Sequence, residues 1–303
     1  MTARKGIMAE IVLFNPDLIR LKDNLDSVIN QVDWVVLVDN KSNNVDDCRT
    51  MLQRYPNCML IENAENYGVA KALNQGMCYA ESNGYDWVLA LDQDSVIPQS
   101  MVDVYTKYTH DASIGMITCE FVDRSPFSAA PQNPDNAIEE QVSYIDECIT
   151  SGCMTRVEAW KNVGGYYEPM FIDSVDKDFC RLLREREWNI LRVVSKDTRM
   201  IHEIGKDFRN IRVPRIWYDK DAHRVRFNMV ERPSFNHPPI RYYYQTRNWL
   251  LFIKRHAISK TEIKEIAYMF YIVNRYEEKR WQKNVMMTRG ILHFIMGRFG
   301  RLD

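Results

Sequence analysis

The stretch Trp87-Val88-Leu89-Ala90-Leu91-Asp92-Gln93-Asp94 sets five apolar residues directly before an Asp-x-Asp pair. The earlier stretch Trp34–Asp39 (WVVLVD) has a similar form, with five apolar residues followed by one aspartate. Unbroken apolar runs of this length are typical of strands that are buried on both faces of a parallel sheet. Because ligands of open α/β sheets bind beyond the carboxyl ends of the strands, the acidic residues that close these runs are the first candidates for a functional site.

Short apolar runs and helical patterns alternate along the first part of the chain. Strands are predicted over residues 7–14, 34–38, 58–61, 87–91 and 114–119, and helices over 17–31 and 69–81. This alternation predicts a doubly wound α/β core with right-handed crossovers.

The sequence pattern of the later part of the chain predicts mostly helices. Thr155 and Glu158 have capping-box spacing, which predicts a helix from Thr155 to about residue 162, and a second helix is expected from Ser174 to Glu187. Residues 124–140, which are rich in Pro, Asn, Ser and Ala, predict a mobile loop. Helical periodicity returns over 241–256, 261–279 and 283–298. We therefore expect an α/β domain over residues 1–215 and a basic, aromatic-rich helical region over 216–303.

Composition excludes several classes of protein. The 303 residues are 46% hydrophobic and 27% charged, with a formal net charge of -1, which excludes a disordered, collagen-like or polytopic membrane chain. Seven cysteines without a C-x-x-C pair predict reduced thiols rather than a disulfide framework or a structural zinc site. Without an apolar window of about 18 residues, no membrane-spanning helix is expected, and the predicted location is cytoplasmic.

The charge is distributed unevenly along the chain. Residues 241–303 contain 13 Lys or Arg and 5 Asp or Glu, a net charge of +8, so residues 1–240 carry -9. A basic tail on an acidic body is informative about binding partners. No recognised nucleic-acid-binding motif accompanies the tail, so nucleic-acid binding is not predicted.

Three motifs follow successive predicted strands. They are Asp39-Asn40-Lys41-Ser42, residues 66–76 (NYGVAKALNQG) and Asp92-Gln93-Asp94-Ser95. Their order, spacing and strand contexts resemble family 2 glycosyltransferases of the GT-A fold, a Rossmann-like fold of nucleotide-diphospho-sugar transferases, over roughly residues 7–205. Within this family, residues 66–76 and 171–176 (FIDSVD) look most like bacterial rhamnosyltransferases.

The resemblance implies a nucleotide-sugar site at the ends of the strands. The residues expected to bind the donor are Phe14, Asn15, Pro16, Asp39, Asn40, Asn66, Gly68, Ala70, Asn74, Asp92 and Gln93. A carboxylate such as Asp39 can accept a hydrogen bond from a base N–H, and small residues at 68 and 70 would let the backbone approach the nucleotide.

The resemblance also implies a divalent cation, Mg²⁺ or Mn²⁺. Asp94 would bind the cation directly, while Asp92 would hold a metal-bound water, ligate the metal or lie near the ribose. His202 would complete the metal shell, although lone histidines are more often structural. The cation would neutralise charge on the departing nucleoside diphosphate. An Asp-x-Asp tripeptide alone is a weak signal, because acidic residues are common in turns.

An inverting transfer needs a base for the acceptor hydroxyl, and the resemblance assigns this role to Asp176. The sequence departs here from the commoner Glu-Asp form, with Val175 in place of the Glu. A helix N-terminus would favour the ionised carboxylate that a base requires. The alternative is that Asp176 and Asp178 are ordinary acidic residues of a first helical turn.

Together these features predict an inverting, metal-dependent transferase of L-rhamnose from dTDP-L-rhamnose to a lipid-linked glycan of a bacterial cell-surface polysaccharide, of O-antigen or capsule type. The alternatives are another donor, such as a UDP-linked hexose or galactofuranose, or a catalytically silent nucleotide-sugar-binding protein. A nucleotidyltransferase would carry a Gly-rich basic loop after the first strand, where this chain has Phe14-Asn15-Pro16-Asp17.

The basic tail has two interpretations. Residues 285–299 (VMMTRGILHFIMGRF) could form an interfacial helix on an anionic leaflet, which would place the protein peripherally at the inner face of the cell membrane. Alternatively, the tail could be a helical subdomain that packs on the core or on a second subunit of a homodimer.

Overall fold

A computed structural model of the chain describes residues 6–123, 139–202, 208–219, 223–256 and 260–302. Its described residues form two compact units: residues 6–123, 139–202 and 293–302 belong to the first, and the described part of 208–292 belongs to the second. Most of the loop predicted over 124–140, namely residues 124–138, lies outside the described residues.

Residues 7–118 of the first unit alternate strands and helices as predicted. Its strands are β1 (Ile7–Leu13), β2 (Trp34–Asp39), β3 (Cys58–Glu62), β4 (Trp87–Asp92), β5 (Ile114–Thr118), β6 (Phe121–Asp123), β7 (Gln141–Tyr144), β8 (Cys153–Arg156), β9 (Asn189–Val194) and β10 (Met200–His202). Its helices are α1 (Leu18–Val28), α2 (Val45–Leu52), α3 (Val69–Ser82), α4 (Met101–Thr106), α5 (Val157–Val163) and α6 (Val175–Glu185).

Eight of these strands form one sheet in the order β3-β2-β1-β4-β8-β5-β9-β7. The pairs β3-β2, β2-β1, β1-β4 and β5-β9 are parallel, whereas β8 is antiparallel to both of its neighbours. The strands predicted as the first five are confirmed as β1–β5, and the mixed sheet confirms the α/β fold class.

The apolar runs explain why the sheet forms in the interior. The side chains of Val35–Val38 in β2 and of Leu89 in β4 are buried, as sheet covered on both faces requires. In the parallel register, Asp39 pairs with Leu13 of the interior strand β1, and Asp92 pairs with Val12. The two acidic strand ends therefore flank the end of β1 at one edge of the sheet.

The predicted capping box at Thr155 is wrong. Thr155 lies in β8, where it pairs with Val88 of β4, and α5 begins two residues later, at Val157. The N-cap residue of α5 is Arg156, whose side chain makes no capping hydrogen bond. The pairing of β8 inside the sheet overrides the local cap signal.

The second unit contains a two-stranded ribbon and helices. The ribbon pairs β11 (Phe208–Asp219) with β12 (Arg224–Phe235) antiparallel, and neither strand was predicted. The predicted helices are confirmed, with slightly earlier bounds, as α7 (Pro239–Arg255), α8 (Lys260–Tyr276) and α9 (Arg280–Ile295), of which the last three residues belong to the first unit. In the described part of the chain, no helix has the length and apolarity needed to cross a membrane.

Candidate active site

Asp39 presents an unused hydrogen-bond acceptor at the end of β2. The side chain is buried, and its Oδ2 accepts the N–H of Ser42 at 2.9 Å. Its Oδ1 has no hydrogen-bond partner among the described residues. Because buried polar atoms are nearly always paired, this oxygen is suited to a donor that comes from a ligand, such as a base N–H.

The segment after β1 is fastened to both neighbouring strand ends. Phe14 N–H donates to Gln93 Oε1 at 2.9 Å, and Asn15 N–H donates to Ser42 Oγ at 2.8 Å. Asn15 has a positive φ of 49° and accepts the N–H of Asn43 through its side chain at 2.7 Å. The carboxamide of Gln93 thus holds this segment in place, while half of the Phe14 side chain remains accessible.

Gly68 stands at the N-terminus of α3 with a φ of +87°, in the left-handed region that favours glycine. A Cβ at this position would lie 2.5 Å from the carbonyl oxygen of Phe171, and that oxygen accepts the N–H of Val69 at 2.7 Å. Asn66 Oδ1 accepts the Gly68 N–H at 2.9 Å. The close approach that demands a glycine here is therefore made by the backbone of Phe171, and the side chain of Ala70 is buried.

Two amides predicted as ligands make hydrogen bonds within the protein. Asn40 donates to the Gly68 carbonyl at 3.2 Å, and Asn63 donates to Asn40 Oδ1 at 3.1 Å. Asn74 Oδ1 accepts the indole N–H of Trp160 at 3.0 Å and also accepts the Tyr166 backbone N–H. These bonds place Asn40 and Asn74 as supports of the surrounding loops, and their contact with a donor stays a prediction.

Asn63 and Gln75 were missed by the sequence analysis. Their carboxamides pair with each other at 2.8 and 2.9 Å, and Asn63 continues the chain of bonds to Asn40. The signal was present, because Asn63 directly follows β3 as Asn40 follows β2.

Asp92 and His202 approach each other although they are far apart in sequence. His202 Nδ1 lies 3.7 Å from Asp92 Oδ2 and 3.1 Å from Ser95 Oγ. The pKa of Asp92 is raised, first by loss of surrounding water and then by repulsion from Asp94, whereas His202 lowers it. The Asp92 side chain remains 54% accessible, so a ligand can still reach its carboxylate.

This arrangement fits a divalent cation. Two carboxylates that repel each other, with an imidazole beside one of them, are the oxygen and nitrogen donors that Mg²⁺ or Mn²⁺ accepts. A cation between the carboxylates would relieve their repulsion. In the ranges that the structure describes, no three His, Cys, Asp or Glu side chains are already gathered into a metal-holding group.

A cavity of about 560 Å³ contains the predicted base and is also lined by Phe121, whose ring packs edge-on against His202 with 5.6 Å between the ring centroids. Asp176, Glu147, Arg192 and Ser151 are among its lining residues. Ser151 also reaches the acidic strand end, since its Oγ accepts the Asp92 N–H at 2.9 Å. Ser151 therefore contacts the backbone of Asp92 and lines the same cavity as Asp176, whereas the described lining of that cavity does not include Asp92 or Asp94.

Burial raises the pKa of Asp176, and the carboxylate of Asp173 adds to the effect. The N–H of Lys177, which donates to Asp176 Oδ1 at 2.8 Å, acts in the opposite direction. The helix N-terminus was expected to favour the ionised form, but burial outweighs it. A carboxylate with a raised pKa is a stronger base, provided that the pH is high enough to ionise it.

The backbone that leads to Asp176 is strained. Phe171 has φ 66° and ψ -63°, and the Ile172 N–H donates to the Met170 carbonyl at 2.8 Å across it, which is a rare type of γ-turn. Asp173 and Ser174 also have positive φ values of 64° and 61°. Such conformations cost on the order of 1–3 kcal/mol each and cluster at functional sites.

Comparison with known proteins identifies the family of the chain. Residues 11–163, about half of the chain, match the model of "Glycosyl transferase family 2". The chain belongs to glycosyltransferase family 2. This membership confirms the resemblance drawn from the motifs, and it makes the protein a glycosyltransferase.

Individual relatives of this family 2 glycosyltransferase agree. The chain is 29% identical over 274 residues to "dTDP-rhamnosyl transferase RfbF" of Shigella flexneri, which covers 87% of this chain and 85% of that protein. The structure of S. aureus TarS residues 1–349 matches 97% of this chain and 82% of its own with a TM-score of 0.56 at 12% identity. GalNAc-T7, solved with UDP, GalNAc and Mn²⁺, matches 67% of this chain and 44% of its own with a TM-score of 0.54 at 12% identity. These likenesses confirm the GT-A fold, which is followed here by C-terminal helices.

Proposed function

We propose that the protein transfers L-rhamnose from dTDP-L-rhamnose, with inversion, to a lipid-linked glycan of a bacterial cell-surface polysaccharide. The choice of donor is supported by the relationship to a dTDP-rhamnosyl transferase over most of both chains. The observation that carries the chemistry is the position of Ser151, which lines the same cavity as Asp176 and accepts the Asp92 N–H.

In the proposed reaction, an acceptor hydroxyl oxygen attacks the anomeric carbon of the donor. The bond from that carbon to the diphosphate oxygen breaks, and its electron pair leaves with the nucleoside diphosphate. Asp176 accepts the proton of the hydroxyl as general base. Direct displacement on a β-linked donor gives an α-linkage.

Asp92, Asp94 and His202 would hold Mg²⁺ or Mn²⁺. A bound cation neutralises the negative charge that develops on the departing diphosphate. Asp39 Oδ1, which has no partner among the described residues, is the proposed acceptor for a base N–H of the donor.

A panel of nucleotide sugars tests the donor. Each donor is added with Mn²⁺ or Mg²⁺, and the melting temperature is measured, because a ligand that binds only the native state stabilises it by about 2.7 kcal/mol at one hundred times its Kd. We expect dTDP-L-rhamnose to give the largest shift and, with acceptor present, release of dTDP. Asp94→Ala is the matched control, in which the metal-dependent part of the shift should disappear.

The same panel separates the alternatives. A larger shift with a UDP-linked hexose or with UDP-galactofuranose would replace dTDP-L-rhamnose as donor while leaving the transferase assignment intact. Binding of a donor without turnover, under any metal and acceptor condition, would favour the silent nucleotide-sugar-binding protein.

We also propose that the protein works in the cytoplasm at the inner face of the membrane, through α9. Trp281, Val285 and Leu292 lie on one side of this helix, and the Trp281 side chain is 80% exposed. The net charge of +8 over residues 241–303 suits an anionic leaflet. Deleting the helix would be a poor test, because Lys283 and Met287 on the same helix are buried.

Substitution of the exposed residues is the sharper test of membrane contact. Trp281→Ser with Leu292→Ser should reduce flotation with vesicles that contain phosphatidylglycerol, without lowering the melting temperature. Unchanged flotation would count against this contact. A shift from dimer to monomer in the variant, measured by light scattering, would assign the surface to a homodimer instead.

A further inference from the structure

Asn24 is a polar residue in the buried stripe of α1. The buried residues of this helix are Leu21, Asn24, Leu25 and Val28, so a carboxamide occupies a position where the helical spacing calls for an apolar side chain. The side chain is fully buried, and burial of an amide costs free energy unless its hydrogen bonds are satisfied.

The amide nitrogen of Asn24 is bonded to the turn that follows β4. Its Nδ2 donates to the carbonyl oxygen of Asp92 at 2.8 Å and to that of Ser95 at 2.6 Å. The Ser95 N–H donates to the Asp92 carbonyl at 3.1 Å, which closes a turn that contains Asp94. One side chain from another element therefore fastens the first and the last residue of this turn.

The opposite side of the turn is held by hydroxyl groups. Ser151 Oγ accepts the Asp92 N–H and lies 2.9 Å from Ser95 Oγ. Ser95 Oγ in turn lies 3.1 Å from His202 Nδ1. A displacement of Ser95 would therefore move the hydroxyl that contacts the imidazole, as well as the backbone that carries Asp94.

We propose that Asn24 is a positioning residue for the cation site: its carboxamide fixes both ends of the Asp92–Ser95 turn and so sets the places of the Asp92 and Asp94 carboxylates and of His202. This inference rests on the metal-dependent transfer proposed above. Residues that hold metal ligands in place commonly change metal affinity by about 10- to 100-fold when they are replaced.

Stability alone gives a poor account of an amide at this position. Asn24 Oδ1 has no hydrogen-bond partner among the described residues, so the amide leaves one acceptor unsatisfied in the core. A leucine would have the same branched shape and no such deficit, although its two methyl groups take more room than the amide. It would, however, leave the carbonyl of Ser95 without this donor, and that loss falls on the turn that carries the carboxylates.

Gln31 provides a matched control. It follows Asn24 by seven residues, just beyond the end of α1, and it also joins this part of the chain to distant backbone. Its Nε2 donates to the Pro98 carbonyl at 2.8 Å, and its Oε1 accepts the Val102 N–H at 3.1 Å. Its contacts are therefore of the same kind, but they lie beyond the turn.

The test measures cation binding directly, with Asn24→Leu compared to Gln31→Leu. Mn²⁺ is titrated into each full-length protein with saturating dTDP or UDP, and free Mn²⁺ is followed by its electron paramagnetic resonance signal. The melting temperature without metal reports the structural cost of each change. We expect both variants to melt earlier, and only Asn24→Leu to bind Mn²⁺ at least about tenfold more weakly.

The outcomes divide clearly. Wild-type affinity for Mn²⁺ in Asn24→Leu, or an equal loss in Gln31→Leu, would overturn the proposal. If Asn24→Leu does not fold, Asn24→Ser, which keeps one hydroxyl donor in a smaller side chain, is measured by the same criterion. Failure of the wild-type protein to bind Mn²⁺ with either nucleotide would instead refute the metal-dependent function on which the proposal rests.

Discussion

Glu10 is a buried acid in the middle of strand β1, and its replacement by Gln should change how stability depends on pH. Its side chain is inaccessible, and neither carboxyl oxygen has a hydrogen-bond partner among the described residues. A Cβ at Gly76 of α3 would collide with Glu10 Oε2, so the carboxyl lies directly against that helix. Burial raises the pKa of Glu10 well above its usual range, so the folded protein keeps the neutral acid to a higher pH than the unfolded chain does.

The sign and size of the effect follow from proton linkage. Below about pH 4, near the pKa of an unfolded glutamate, both states are protonated and the group contributes no pH dependence. As the pH rises further, the unfolded chain releases this proton and the folded protein keeps it, so stability falls. For one proton the slope approaches about -1.4 kcal/mol per pH unit, and it ends where the folded carboxyl ionises.

The free energy of unfolding should be measured by urea denaturation at pH 5, 6.5 and 8 in the wild type and in Glu10→Gln. The difference between the two proteins should move steadily in favour of Glu10→Gln as the pH rises. Glu65→Gln, a change at an exposed glutamate, should leave the pH dependence as it is. Parallel curves for Glu10→Gln and the wild type would refute the idea that the folded protein holds a neutral carboxyl at this position.

Two further substitutions test the base and the second unit. Since burial raises the pKa of Asp176, the acid limb of the pH profile of kcat should lie above the ordinary aspartate range. Asp176→Asn should lower kcat by about 10²- to 10⁴-fold and keep the shift in melting temperature that the donor gives. Loss of donor binding in this variant would contradict the role of Asp176 as base. Lys283 Nζ donates to Glu277 Oε2 at 2.7 Å, and both side chains are buried. Lys283→Met should therefore lower the free energy of unfolding, measured in urea, by about 3–5 kcal/mol, because it leaves the Glu277 charge uncompensated. Adding Glu277→Gln should restore much of the lost stability, and an equal loss in the double variant would argue against an uncompensated charge as the cause.

The sequence allowed the centre of the sheet to be predicted because its strands are apolar on both faces. Runs such as Trp34–Asp39 have one stable place in a globular protein, the interior of a parallel sheet. Strand β8 has no such signature, since it contributes only four residues and its identity depends on pairing with β4 and β5. Thr155 was consequently assigned to a helix cap, because a local motif can be read from sequence and a long-range pairing cannot.

The β11–β12 ribbon was not predicted for a different reason, because part of its strand signal is present in the sequence. Arg224-Val225-Arg226-Phe227-Asn228-Met229 alternates polar and apolar residues, which is the period of a strand. The side chains of Val225 and Phe227 are exposed, so this strand also lacks the burial that makes core strands easy to recognise.

At the site, sequence could place residues at strand ends but could not assign their hydrogen bonds. The register that puts Asp39 and Asp92 on either side of β1 follows from parallel pairing of strands whose ends could be predicted. The engagement of Asn40 with Asn63, and of Asn74 with Trp160, depends on side-chain directions that only the folded chain defines. The sequence therefore predicts the location of the site better than the hydrogen-bond partners of each amide side chain.

The contact between Gly68 and Phe171 connects the start of α3 with the segment that leads to Asp176. The Phe171 carbonyl accepts the Val69 N–H at 2.7 Å, which ties the start of α3 to the strained segment that runs into Asp176. Strained backbone persists only where its surroundings hold it, and here the holding bond comes from the backbone at the start of α3. A side chain at residue 68 would press on the Phe171 backbone and disturb this bond. The same glycine thus serves both the start of α3 and the strained segment that leads to Asp176, which is a stronger physical reason for its presence than access for a ligand alone.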